Sequence, residues 1–266
     1  MSSVPPLRPT QHPARAGAAL AAMLAVWGGA TLAQEAPRWD WQLQPPFELS
    51  ADVAIIDLDP DEVDAADVQA LQARGVMTVA YISVGTWEEW RSDAGAFPDH
   101  VLGRVYGDWP DERFLDIRDH ATLLPIMRER FARAAAMGFD AIEPDNLDVH
   151  INESGFAVGP ADLVAYAEAL AEMAHGMGLQ IGQKNVPDLV PQLVPVMDFM
   201  VAEGCFDDGW CDAALPYLAA GKPVLDAEYT DTSVDFTAAC AYAAAEGLSM
   251  ILHDRDLAGP AHAACP

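Results

Sequence analysis

Between Gly138 and Asp148 the chain reads GFDAIEPDNLD, and Glu143, Asp145 and Asp148 fall within six residues. Carboxylates this close repel one another and desolvate poorly, so such a cluster needs either a partner or a task. If the apolar lead-in is a strand, side chains two apart share a face: Glu143 and Asp145 point one way and Pro144 the other. One ionised carboxylate working with one protonated carboxyl is what cleavage of a glycosidic bond requires. Glu203, at the end of the apolar run FMVAE, is the candidate for the second role. Desolvation there is expected to raise its pKa and hold its proton, provided no cation lies closer than the carboxylates. Lys184, in IGQKN, is one of only two lysines in the chain and is expected to balance the ionised acids. The same acids could serve calcium or magnesium as oxygen ligands, so a metal-holding barrel stays open, as does a noncatalytic binder of cationic polysaccharide.

Other chemistries lack their residues. There is no G-x-S-x-G nucleophile elbow, no G-x-x-x-x-G-K-[ST] phosphate loop and no G-x-G-x-x-G dinucleotide turn, and no cofactor is expected. His175 lies in a helical pattern and His253 stands alone at a strand end. The CFDDGWC spacing does not suit zinc, and no histidine pair follows it.

These residues must be positioned by the elements around them. Eight apolar or alternating runs recur: 39–43, 52–59, 77–85, 139–145, 179–185, 198–205, 223–229 and 248–254. Helical periodicity fills 60–75, 121–138, 159–178, 186–197 and 233–247, with Pro125 expected in a first turn or marking a later start. Thr86 to His120 reads as an extended strand-to-helix insertion. Eight strands alternating with helices predict an α/β fold, a single-domain (β/α)8 TIM barrel over 34–266. In such a barrel, catalytic groups gather at the strand C-termini. That end carries Asp57, Tyr81, Ser83, Glu143, Asp145, Asn146, Lys184, Asn185, Glu203, Glu228 and Tyr229, with Asp148 just beyond. Trp87, Trp90, Trp109, Trp210 and Tyr229 offer flat rings that could stack on sugar faces.

With 41 acids against 14 Lys and Arg, the chain carries a formal charge of −27, which disfavours nucleic acid or an anionic membrane as partner and attracts cations. Residues 1–33 read as a cleavable signal peptide: Arg8 and Arg15, then an apolar core, then small residues ending at Ala33. Its removal leaves 12 cations and 41 acids, a charge of −29, and no stretch apolar enough to span a bilayer. The expected destination is secreted or periplasmic. Export favours oxidised cysteines. Of the three connectivities that four cysteines allow, Cys205–Cys211 and Cys240–Cys265 are expected, the first pinning the loop after Glu203 and the second tying the tail to a helix.

In order, WDWQL, IDLD, AYISVG, FLDIRD, GFDAIEPDNLD, IGQKN, VAEGC and AEY resemble the endo-alpha-1,4-polygalactosaminidase family, glycoside hydrolase family 114. The resemblance covers nearly the whole chain after the signal, and its most specific blocks are EPDN, KN and EGC. It implies a barrel enzyme cleaving alpha-1,4-linked galactosamine polymers, cationic when deacetylated, by a retaining mechanism. Asp145 would be the nucleophile and Glu203 the acid/base, with the other strand-end residues binding the cationic galactosamine-containing polysaccharide. Gln183 stands where an aliphatic residue is more usual, and Gly204 where a polar one is expected. Oligomeric state is left open.

Overall fold

Short Val-, Ile-, Phe- and Trp-rich runs bury both faces when they pair in parallel, and here they do. The computed structural model describes residues 36–107 and 109–266; the expected signal peptide lies outside the described residues. In chain order the elements are β1 (Trp39–Gln42), β2 (Ile55–Leu58), α1 (Ala65–Ala73) and β3 (Met77–Ser83), followed by β4 (Thr86–Glu88), β5 (Leu102–Tyr106) and β6 (Trp109–Leu115). Then come α2 (His120–Met137), β7 (Ala141–Asp145), α3 (Pro160–Gly176), β8 (Gln180–Lys184), α4 (Val190–Leu193) and β9 (Phe199–Glu203). The chain finishes with α5 (Leu215–Ala219), β10 (Val224–Tyr229), α6 (Phe236–Glu246), β11 (Ser249–His253) and β12 (Ala263–Ala264).

Strands β1, β2, β3, β7, β8, β9, β10 and β11 pair in that order, all parallel, as the eight expected runs. The seam between β11 and β1 carries no strand ladder. Trp39 Nε1 donates to the Ser249 carbonyl at 3.1 Å and Leu43 N to the Leu257 carbonyl at 2.8 Å, so the barrel is nearly closed. Alternation along the strands divides the apolar residues into two cores. Trp39, Trp41, Ile55, Val79, Ala141, Phe199, Val201, Leu225 and Ala227 fill the barrel interior. Ile56, Ala80, Ile142, Ile181, Met200 and Val224 face outward against the helices. Gly182 belongs to the interior set because a Cβ there would lie 2.5 Å from the Phe199 ring.

Two local readings change, and a third gains detail. Pro125 lies inside α2, past its first turn; the ring is exposed, so the Ala121 carbonyl it leaves unpaired can reach water. The helix read at 186–197 is a 3-10 turn (Pro187–Leu189) plus the single turn α4, since Pro187, Pro191 and Pro195 each remove a backbone donor. The insertion read at Thr86 to His120 carries a sheet of its own: β4, β6 and β5 pair antiparallel in that order. Buried Arg130 of α2 fastens it, binding both Asp93 oxygens at 2.7 and 2.8 Å and the Ser83 carbonyl at 2.9 Å. Both expected disulfides are formed, with Cα separations of 4.7 Å (Cys205–Cys211) and 5.1 Å (Cys240–Cys265). Among the described residues no helix is long and apolar enough to cross a membrane.

Candidate active site

Three strand ends deliver the central residues, and each is followed by a residue suited to a left-handed turn. Asn146 (φ 61°) follows Asp145, Asn185 (φ 48°) follows Lys184, and Gly204 (φ 61°) follows Glu203. Asn and Gly adopt this conformation at little cost, which lets each strand stop abruptly and release its last side chain into the barrel mouth. Gly85 serves the same end, since a Cβ there would meet the Asn146 carbonyl oxygen at 1.7 Å. Its smallness lets the chain just after β3 lie directly on the Asn146–Leu147 peptide.

The Lys184 ammonium is the hub. It lies 2.8 Å from Glu143 Oε1, 2.9 Å from Asp145 Oδ1 and 3.2 Å from Glu203 Oε2, and 4.5 Å from the centroid of the Trp41 ring. Lys184 is buried, and although burial works against its charge, Asp145, Glu143 and Glu203 hold its pKa well above the ordinary lysine range. Tyr81 donates to Asp145 Oδ2 at 2.8 Å. Glu203 accepts from Tyr229 Oη and, at 2.9 Å, from Asn185 Nδ2, while its backbone N–H donates to Asn185 Oδ1 at 2.9 Å.

The expected rise in the Glu203 pKa is reversed. Burial pushes it up, but Lys184, Tyr229 and Asn185 together outweigh burial and hold it below the ordinary glutamate range. The cation expected to balance Glu143 and Asp145 also reaches Glu203.

Beneath the site, Asp57 faces the interior beside Glu143. Its two oxygens and Glu143 Oε2 have no other partner among the described residues. Burial, with the neighbouring Glu143 charge, pushes the Asp57 carboxyl well above its usual range, so a proton held on Asp57 and donated to Glu143 satisfies both groups. Burial also raises Glu143, against the opposing pull of Lys184.

A cleft of about 710 Å³ opens above these residues. Of the strand-end residues singled out in the sequence, Tyr81, Asp145, Asn146, Asp148, Lys184, Asn185, Glu203 and Tyr229 line it. Asp57 and Glu143 lie below it. Ser83 turns into a buried network, its Oγ 2.6 Å from Thr86 Oγ1 and within 3.0 Å of Asn146 Nδ2. Glu228 faces the helix shell: it has the parity of Val224, and its carboxylate accepts from the Phe206 and Asp207 amides at 2.7 and 3.3 Å, shaping the loop after Glu203. Asp226, one step below it, is raised well above its ordinary pKa, by burial first and by Glu228 second. Asp148 is raised by burial and by Asp145; one oxygen accepts from Asn152 at 2.8 Å and the other has no partner among the described residues.

Trp90 and Trp109, two of the rings expected to stack on sugars, line the cleft wall; sequence reading missed Glu88, Arg91, Tyr106 and Glu112, which the insertion brings to the same wall. The alternation TWE in β4 was the available signal, but three residues are too few to read. Burial and the facing Glu88 raise the Glu112 carboxyl to about 7. Among the described residues, one group of metal-ligating types lies close together, Cys205, Cys211 and Asp226, and its two sulfurs are already bonded to each other. Between Glu143, Asp145 and Glu203 the place a cation would take is filled by the Lys184 ammonium.

The chain matches the family model for glycoside-hydrolase family GH114 over residues 21–265. Its fold is similar to the crystal structure of Aspergillus fumigatus Ega3 in complex with galactosamine. The TM-score is 0.79 with 31% sequence identity, over 86% of this chain and 96% of that one. The chain belongs to family GH114. The glycoside hydrolase domain of PelA from Pseudomonas aeruginosa shares the fold at 18% identity and TM-score 0.64, covering 83% of this chain and 96% of that chain. TtGalA, an alpha-galactosidase from Thermus thermophilus, shares it at 14% identity and TM-score 0.55, covering 82% of this chain and 58% of that chain. No curated protein sequence matches. As a GH114 member with this barrel, the protein is a glycosidase, and the Asp145–Lys184–Glu203 constellation lies at the strand ends where barrel enzymes carry out their chemistry.

Proposed function

We propose that this GH114 protein is an exported, retaining glycosidase that cleaves alpha-1,4-linked galactosamine polymers, with Asp145 as nucleophile and Glu203 as acid/base. The observation that carries the reading is the shared ammonium. Because Lys184 Nζ touches Asp145 Oδ1 and Glu203 Oε2, those oxygens lie no more than about 6 Å apart. That spacing favours the retaining class, about 5 to 5.5 Å, over the wider separation that admits an attacking water. In the first step Asp145 bonds to the anomeric carbon while the bond to the leaving oxygen breaks and that oxygen takes the Glu203 proton. In the second, Glu203 takes a proton from the water that displaces Asp145. Tyr81 and Lys184 fix the nucleophile from two sides.

The residues lining the cleft include eight carboxylates and three cations, an excess that suits a cationic amino sugar, and the relative Ega3 was crystallised with galactosamine. Two disulfides and the basic–apolar–small pattern of residues 1–33 support export. Only protonated Glu203 can act as acid and its pKa is lowered, so kcat/KM should rise as pH falls towards the carboxylate range. Incubation with defined alpha-1,4-galactosamine oligomers, free and N-acetylated, tests the substrate, and proton spectra of the first product test the stereochemistry. An alpha-anomer appearing first is expected. A beta-anomer appearing first would mean that Asp145 activates water, and no cleavage of either oligomer would overturn the substrate assignment.

A further inference from the structure

The acids that converge on Lys184 and those around Arg91 each have a cation. Lys184 serves Glu143, Asp145 and Glu203, and on the insertion side Arg91 serves Glu88, Asp59 and Asp61 at 2.8 Å each. Glu112 is different. It stands directly opposite Glu88 across the β4–β6 ladder, is 8% exposed, and has no ion-pair partner among the described residues. Thr86 Oγ1 donates to its Oε2 at 3.1 Å, while Oε1 takes no hydrogen bond among the described residues and stays open to the cleft that Glu112 lines. A carboxylate buried beside a like charge, with half its acceptor capacity unused, is destabilising unless a cation arrives.

The surroundings define that cation. Trp90 and Trp109, each more than half exposed, line the same cleft from the same insertion and present uncovered rings. Aromatic faces that share a cleft with an unpaired carboxylate suit a ligand with an apolar sugar face and an ammonium group. Thr86 spans the interval to the chemistry: its Oγ1 donates to Glu112 and accepts from Asn146 Nδ2 at 2.9 Å, and Asn146 directly follows Asp145. A sugar held at Glu112 is therefore a neighbour of the sugar at Asp145 and belongs to the same polymer chain.

We propose that Glu112, in the cleft wall that also carries Trp90 and Trp109, forms an ammonium-recognising subsite on the insertion sheet that selects a deacetylated galactosamine unit next to the one being cleaved. This rests on the galactosamine reading above and adds its specificity determinant. Acetylation removes the charge and adds bulk, so the site discriminates by both electrostatics and shape.

The test is calorimetric binding of free and N-acetylated alpha-1,4-galactosamine oligomers to the Asp145→Asn protein, with and without Glu112→Gln, in the presence of a chelator. The first protein should prefer the free oligomer, and Glu112→Gln should cut that preference at least tenfold. Trp109→Ala should weaken both oligomers. A preference that survives Glu112→Gln unchanged, or that is absent from the start, overturns the subsite. If the wild-type enzyme cleaves neither oligomer yet Asp145→Asn binds the free one through Glu112, the substrate assignment fails and the subsite stands. Glu112→Gln is nearly isosteric, and a single cooperative melting transition no lower than that of the unsubstituted protein confirms that the fold is intact.

Discussion

The β7–β9 sector and the β4–β6 insertion form facing walls of one cleft, and both place carboxylates side by side. They differ in how the charge is balanced. In the barrel sector, two acids of β7 and one of β9 converge on the Lys184 ammonium of β8 between them, each within 3.2 Å. In the insertion, Glu88 and Glu112 oppose each other across an antiparallel ladder, and the nearby Arg91 is committed to Glu88, Asp59 and Asp61. A balanced cluster holds its geometry before substrate arrives, which suits groups that must attack and transfer protons from fixed positions. An unbalanced one stores an electrostatic deficit that a cationic ligand can relieve.

The largest effect should come from the chemical pair itself. Asp145→Asn and Glu203→Gln should each lower kcat by roughly 10²- to 10⁴-fold or more while leaving the melting transition in place, because the amides keep the shape and lose the chemistry. Near-normal turnover in either variant would remove that residue from the pair and erase the functional contrast between the two walls.

Next in size is Lys184→Met. Removing the hub leaves Glu143, Asp145 and Glu203 buried with no cation, which should cost about 3–5 kcal/mol in denaturant unfolding at neutral pH. The loss should shrink as pH falls and the acids protonate. A loss that does not vary with pH would mean that the ammonium acts through packing on Trp41 instead of through charge.

A smaller effect belongs to the carboxyl pair beneath the site. Asp57 is raised in the folded state above its unfolded value, so its contribution to stability is complete below the unfolded pKa, near 4, and declines as pH rises towards the folded one. Asp57→Asn should remove that decline, flattening unfolding free energy against pH by up to about 1.4 kcal/mol per pH unit within the window. Unchanged slopes would show that Asp57 and Glu143 do not share a proton.

The smallest effect sharpens the contrast directly. The same sign applies to Glu112, raised to about 7, whose contribution is lost as pH rises through that value. Glu112→Gln should therefore stabilise the protein above pH 7 on the order of 1 kcal/mol by relieving the repulsion from Glu88, the opposite sign to Lys184→Met. Destabilisation by Glu112→Gln at that pH would place an unseen cation beside it and end the distinction between the walls.

Local residue chemistry by itself determined much of this protein. Runs such as MTVAYIS and VLDAEY could hardly be anything but strands, and their alternation with helices left few architectures other than the barrel. Period-two alternation placed Glu143 and Asp145 on one face and led to Lys184 as their partner. The same rule, applied to VLDAEY, puts Glu228 on the face opposite Tyr229, so its place in the helix shell was legible in principle. What no run of residues could decide was distance between strands. That Lys184 also reaches Glu203 depends on the stagger of β8 against β9, and this contact reverses the direction of the Glu203 pKa. The insertion sheet was equally hidden, because its strands are short and irregular in register and their pairing is set by closure of a long loop onto Arg130. Only the tertiary structure brings Glu88 against Glu112. Electrostatic energy depends on separation and burial together, and both arise from contacts between segments far apart in the chain.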